Sequence, residues 1–239
     1  MSNVGQRERA TQNRIVQFFQ TDLGYRYLGD WQDRANNKNI EVDILVDWLK
    51  KRGVSEALIN RAIRQLDTAA ALGEGKKLYY ANKEVYRLLR YGVKDKEGAG
   101  HLNETVWLID WKNPEANDFA IAEEVSIKGE NKKRPDIVLY VNGIALGVIE
   151  LKRSSVSVSE GIRQNLDNQK KDFIRNFFTS MQLVMAGNDV ADFFFAVDVG
   201  FEVVILDCRV AVLLAMAGDK HAVYINITQY FFADVVAFD

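Results

Sequence analysis

Apolar residues recur at near-helical spacing through the first third of the chain. Over 8–20, Ile15, Val16, Phe18 and Phe19 predict a helix that Gly24 ends. Over 41–51, Val42, Leu45, Val46 and Leu49 form one stripe. Lys50, Lys51 and Arg52 follow it, where the helix dipole favours cations, and Gly53 stops it. Ser55 is a natural N-cap for a third helix over 56–72. A short helix is predicted over 83–91 and a charged, glycine-containing loop over 92–100.

The pattern then changes to short runs of β-formers. Strand-like stretches are predicted over 105–110 and 119–127, although Glu123 and Glu124 interrupt the alternation of the second. A strand over 136–141 meets Asn142-Gly143, a strong hairpin signal, because a type I′ turn needs positive φ at both positions. The returning strand covers 144–151. Both strands are apolar on both faces, which predicts a central pair. A helix is expected to open at Ser159 or Glu160 and run through Gln164 and Gln169. Residues 173–185 are apolar and mixed, and 190–239 reads only coarsely as apolar runs punctuated by Asp.

Composition narrows the functional classes. The 239 residues are 48% hydrophobic and 27% charged, which is ordinary globular usage. The net charge of −2 conceals an asymmetry: 190–239 holds seven acids against two bases, so 1–189 carries +3. A polyanion site is therefore expected in the first 189 residues. Cys208 is the only cysteine, which excludes an intramolecular disulfide and a cysteine zinc site. His101 and His221 are too few for a histidine-rich metal centre. No apolar run is long enough for a membrane helix and the start has no signal-peptide core, so a cytoplasmic protein without a membrane partner is expected. Gly73-Glu74-Gly75-Lys76 lacks phosphate-loop spacing, so no ATP chemistry is assigned to this stretch.

The hairpin carries the chemistry. Two-residue closure at Asn142-Gly143 pairs Val141 with Ile144, and counting back sets Asp136 opposite Ile149, a near neighbour of Glu150. Strand residues two apart share a face, so Glu150 and Lys152 project together and Leu151 points away. Two carboxylates suit a hard cation such as Mg²⁺, with the Leu151 backbone carbonyl as a further ligand. A neighbouring lysine can act on an attacking water or on phosphate charge. A Glu-x-Lys pair alone is also an ordinary solvated cross-strand pair. The apolar neighbours Val148, Ile149 and Leu151 make that bland reading weaker here.

The stretch Arg134-Pro-Asp-Ile-Val-Leu-Tyr-Val-Asn-Gly-Ile-Ala-Leu-Gly-Val-Ile-Glu-Leu-Lys152 resembles the nuclease core of the restriction (R) subunit of type I restriction–modification enzymes, within the PD-(D/E)xK nuclease superfamily. Segments 8–13, 23–29, 108–119 and 182–188 add to the resemblance, which covers about 6–189. It implies Asp136 and Glu150 as metal ligands and Lys152 as the catalytic lysine. Glu8 matches the fold's upstream acid, or is an exposed helix residue. Gln164 matches the Gln of a Q-x-x-x-Y motif, but Asn168 stands where Tyr is expected. Gln169 with Phe173 is a second candidate, also without Tyr. Lys132, Lys133, Arg134, Arg153, Arg163, Gln169, Lys170 and Lys171 are candidate DNA contacts, or plain surface groups. Trp31, Trp48, Trp107 and Trp111 are expected in the core or at its rim.

The fold implied is a restriction-endonuclease-like α/β (α+β mixed) domain: a mixed β-sheet flanked by helices. It would have a helical portion over about 6–92, a catalytic core over about 103–189 and an unassigned segment over 190–239. The activity implied is Mg²⁺-dependent cleavage of double-stranded DNA by one domain of a longer chain. The family's ATP-driven translocase would lie in that longer chain, and methyltransferase (M) and specificity (S) subunits would be partners. A non-cutting DNA-binding or docking module, or a structure-specific nuclease of another DNA-processing system, are the competing expectations.

Overall fold

The computed structural model describes residues 3–73, 75–152, 156–188, 194–197 and 204–207. In chain order the elements are α1 (Asn3–Thr21), β1 (Arg26–Asp30), α2 (Val42–Lys51), α3 (Glu56–Ala70), α4 (Leu78–Tyr91), β2 (Val93–Asp95) and β3 (Glu104–Val106). Then come β4 (Phe119–Glu123), β5 (Ile137–Val141), β6 (Ile144–Lys152), α5 (Val158–Asn168), a 3₁₀ segment (Arg175–Thr179), β7 (Leu183–Asn188), β8 (Phe194–Val197) and β9 (Val204–Asp207). A mixed sheet in the order β1-β4-β5-β6-β7 forms the centre, and β8 and β9 continue it past β7. β1 runs parallel to β4, β6 runs parallel to β7, and the other neighbours are antiparallel.

Two apolar layers cover the sheet. On one face, Ile15, Val16 and Phe19 of α1 pack on Ile121, Ile137, Leu139, Ile149 and Leu151. On the other, Val138, Tyr140, Val148 and Val184 meet Phe177 and Phe178 of the 3₁₀ segment. A third cluster joins α2, α3 and α4 to Ile144, at the turn of the β5–β6 hairpin. The helices α2 to α4 thus sit at the closed end of that hairpin. Gly143 makes this possible: a Cβ there would lie 2.7 Å from the Glu41 carbonyl oxygen and 2.9 Å from the Ile44 Cβ.

Most elements agree with the hydrophobic pattern. Gly24 and Gly53 have positive φ after their helices, and the Ser55 hydroxyl accepts the Leu58 amide as an N-cap. Asn142 (φ 53°) and Gly143 (φ 83°) form the expected left-handed turn. Five readings need correction. α4 begins at Leu78, five residues before the predicted start, because Leu78 and Ala81 continue its apolar face. Part of the 92–100 loop is β2, which pairs with β3, and the 105–110 strand ends at Val106. β4 stops at Glu123 because Glu124 takes a left-handed conformation (φ 53°). The helical portion is not purely helical, since β1 joins the main sheet beside β4.

Trp31 and Trp48 are buried, and the Trp111 indole donates to the Leu89 carbonyl at 2.7 Å. Trp107 is the exposed one. In 190–239, β8 and β9 are described, and the rest of that segment lies outside the described residues.

Candidate active site

A β-bulge sets the register at the open end of the hairpin. Near the turn, Val141 pairs with Ile144 and Tyr140 with Ala145. Leu139 then pairs with Gly147, so Leu146 is the extra residue. Beyond it Val138 pairs with Val148 and Ile137 with Ile149. The next step sets Asp136 across from Glu150, not Ile149 as uninterrupted counting predicts. Gly147 suits this crowded spot, because a Cβ there would stand 3.0 Å from Leu139 Cδ1.

The side chains converge on the sheet face that carries Val148. Asp136 Oδ2 accepts the Leu151 amide at 2.6 Å. A strand residue sends its N–H and C=O to the same edge, so the Leu151 carbonyl also faces the Asp136 side. The Leu151 side chain points to the opposite face and packs beneath α1. Glu150 is wholly buried. Its Oε2 accepts the Gln164 amide at 2.7 Å and lies 3.8 Å from Lys152 Nζ. Lys152 Nζ donates to Gln164 Oε1 at 2.8 Å. An ammonium can only donate, so the Gln164 oxygen must face Lys152 and its nitrogen must face Glu150. One glutamine thus ties the lysine to the buried carboxylate.

Gln164 reaches them because α5 lies close against the sheet. Ser157 caps the helix, accepting the Ser159 amide at 3.3 Å. Gly161 faces β7, where a Cβ would stand 2.9 Å from the Ala186 Cβ and 3.6 Å from Lys152 Cγ. Gln164 follows three residues later on the same helical face. Asn165 donates to the Met185 carbonyl at 3.0 Å and fixes the helix further.

Electrostatics make Glu150 a strained carboxylate. Burial, first, and the neighbouring Asp136, second, push its pKa well above the ordinary glutamate value, while Lys152 pulls it down. Its Oε1 is buried with no hydrogen-bond partner among the described residues. A buried carboxylate oxygen in that state, with a second carboxylate alongside, fits a hard-cation ligand. Asp136 and the Leu151 carbonyl would complete the protein's share. Among the described residues no group of three His, Cys, Asp or Glu side chains could hold a metal. A cation here would therefore rest on two carboxylates, a carbonyl and solvent.

A second layer lies behind these residues. Gln12 of α1 is buried and donates to Glu123 Oε2 at 2.9 Å and to the Asp136 carbonyl at 3.5 Å. Arg9 pairs with Glu123 at 3.2 Å and with Glu124 at 3.5 Å. Arg134 Nε lies 2.7 Å from Glu124 Oε2. The Glu124 amide donates to the Asp136 carbonyl at 2.8 Å. This network anchors the backbone on which Asp136 stands. Its sequence signal is the pair of acids that breaks the alternation of β4.

The other candidates fall in different places. Glu8 lies in α1, but its side chain is outside the described residues, as is Arg153. Lys132 and Lys171 are exposed. Lys133 is half-buried, with Nζ 4.2 Å from the Phe173 ring centre. Arg163 pairs with Glu160 at 2.8 Å within α5, and Lys170, just past its end, pairs with Asp167. Asn168 is buried, and the Gln169 amide nitrogen is buried as well. Of the two glutamines, Gln164 is the one that meets the carboxylates.

Residues 5–202 match the family described as the type I restriction enzyme R protein N terminus. The chain belongs to that family. The match continues past Asn188, where the resemblance legible in the sequence stops. Among similar proteins is one provisionally named as the MjaVIIIP endonuclease subunit of a type I restriction enzyme in Methanocaldococcus jannaschii. It is 31% identical over 139 residues, 55% of this chain and 13% of that protein. The type I restriction enzyme HindI endonuclease subunit of Haemophilus influenzae is 26% identical over 157 residues, 62% of this chain and 15% of that protein. The SauMSSORF170P endonuclease subunit of Staphylococcus aureus is 26% identical over 126 residues, 52% of this chain and 13% of that protein. The chain thus spans only a small part of the length of these R-family relatives. No helix among the described residues is long and apolar enough to cross a membrane.

Proposed function

We propose that this chain is the DNA-cutting module of a type I restriction enzyme, hydrolysing phosphodiester bonds of double-stranded DNA with Mg²⁺. The observation that carries the reading is the buried Glu150, with one oxygen unpartnered, beside Asp136 and tied through Gln164 to Lys152. Membership of the R-subunit family supports it. The M and S subunits, ATP use elsewhere in a longer chain and a cytoplasmic setting belong to the same proposal.

Asp136, Glu150 and the Leu151 carbonyl would hold Mg²⁺. When bound, Mg²⁺ would supply a Lewis acid that activates water and neutralises charge at a phosphate oxygen. Asp136 holds its place by accepting the Leu151 amide. Lys152 brings an ammonium to the same end of the hairpin, where Gln164 bridges it to Glu150. That cation suits the charge that develops on a phosphate under attack. Lys132, Lys133, Arg134, Arg153, Arg163, Gln169, Lys170 and Lys171 are the proposed DNA contacts.

Three substitutions test the reading in the assembled restriction complex. Asp136→Ala and Lys152→Ala should abolish DNA cutting and leave ATP hydrolysis intact. Cutting by the Lys152 variant at the wild-type rate would overturn the assignment. Gln164→Leu should fold normally and slow cutting about 10–100-fold, the cost common to residues that orient a metal site's ligands. Single-turnover cleavage of a plasmid measures all three.

A further inference from the structure

Among the described residues nothing covers one face of helix α4, and that face is chemically unlike the rest of the chain. Between Lys76 and Tyr91 lie five cations, one acid (Glu84) and four of the protein's nine tyrosines, in a chain whose net charge is −2. The inner side is apolar and fixed: Val85, Leu88 and Leu89 are buried. Asn82 donates to the Thr179 and Met181 carbonyls at 3.2 and 2.6 Å. The outer side exposes Lys77, Tyr80, Lys83, Arg87 and Tyr91. Glu84 is neutralised by Lys76 at 2.6 Å. Among the described residues no ion pair holds Lys77, Lys83 or Arg87, so their charge faces solvent.

The aromatic groups are organised with the cations. The Tyr79 and Tyr80 ring centres are 5.3 Å apart, and Lys83 Nζ lies 5.9 Å from the Tyr79 ring. Arg90 stands 5.8 Å from the Tyr91 ring and 5.6 Å from the Trp111 ring. From Lys77 to Tyr91 the face runs about 21 Å at 1.5 Å per residue, or about six base-pair steps of duplex at roughly 3.4 Å each. It also connects to the active-site side of the sheet. Arg175 donates to the Lys76 carbonyl at 3.4 Å, and Phe173, two residues earlier, packs beneath Lys133.

We infer that this face of α4 binds the sugar–phosphate backbone of double-stranded DNA flanking the cleavage site. The inference rests on the nuclease reading for its choice of polyanion, but it uses none of the active-site residues. Lys77, Lys83 and Arg87 supply phosphate contacts, which position a duplex without reading its sequence. The Tyr80 and Tyr91 hydroxyls donate to the same backbone.

The test is anisotropy of a labelled duplex of about 30 base pairs with the full chain, without divalent metal, from about 50 to about 200 mM salt. Lys83→Gln/Arg87→Gln should weaken binding about tenfold and flatten the slope of log K against log salt by about two. Lys83→Arg/Arg87→Lys should restore both. Lys77→Gln, at the helix's N-cap, should flatten the slope by about one and serves if the double variant melts early. Unchanged affinity and slope in variants that melt like wild type, or no duplex binding by the wild-type chain, would overturn the inference. An acidic protein as the true partner would give that same unchanged result. Mg²⁺ titration by calorimetry separates the two readings. Normal Mg²⁺ uptake with unmoved DNA affinity sinks the α4 surface and spares the active site. Lost affinity and slope in a chain that takes no Mg²⁺ does the reverse.

Discussion

Burial takes the Glu150 carboxylate out of water and Asp136 repels it, so its protonated form is favoured in the folded chain. The unfolded chain releases that proton near the ordinary value of 4.5. Below it both states are protonated and the fold keeps its full stability. As pH rises above it, the unfolded chain ionises first, and stability is lost until pH passes the raised folded value. Glu150→Gln removes this loss. It should melt higher than wild type at about pH 7.5, by on the order of 1 kcal/mol, with the gain vanishing below about pH 4. Calorimetric melting at the two pH values checks it, and a gain that persists at low pH would assign it to packing instead. Strand alternation made Glu150 and Lys152 legible in the sequence as one face, and Asp136 as their near neighbour across the hairpin. The contacts of Arg9 and Gln12 with Glu123 and Glu124 were not, because they join residues more than a hundred positions apart.

At the scale of elements, the site depends on two local departures from regularity. The bulge at Leu146 advances the register by one residue, which sets Asp136 across from Glu150. Gly161 lets α5 settle on β7 until Gln164 spans Lys152 and Glu150. A larger residue at 161 must push the helix away, because the obstacle is the Cβ of Ala186 at 2.9 Å. Gly161→Val should cost about 1–3 kcal/mol, the usual range for overpacking. It should also slow cutting more than Gln164→Leu does, since Lys152 is displaced as well. Urea melting together with cleavage rates measures both, and wild-type stability with wild-type cutting would show that α5 does not need its close approach. Asn142-Gly143 was readable because only positive φ closes so short a turn. The bulge was not, because its cause is the fit of β6 between two neighbours.

Across the whole molecule, the hairpin separates two tasks. Its closed end seats α2, α3 and α4, and its open end carries the site about 20 Å away, six residues at roughly 3.3 Å each. Concentrating two carboxylates, one of them buried, at the open end leaves a charge that a cation would relieve. Mg²⁺ at about a hundred times its dissociation constant should therefore stabilise the fold by about 2.7 kcal/mol. Asp136→Ala should abolish that increment. Differential scanning calorimetry with and without Mg²⁺ decides it, and equal shifts in both proteins would place the ion elsewhere. The charge asymmetry along the chain agrees with this layout: the site and the basic face of α4 both lie within 1–189. The sequence by itself determined the amphipathic helices, the hairpin and the shared strand face of Glu150 and Lys152. Each depends on local periodicity or on a turn that few residues can make. The tertiary structure alone decided the register beyond the bulge, the burial of Glu150, the glutamine bridge to Lys152 and the network beneath Asp136. Those depend on contacts between segments far apart in the chain, which no local pattern records.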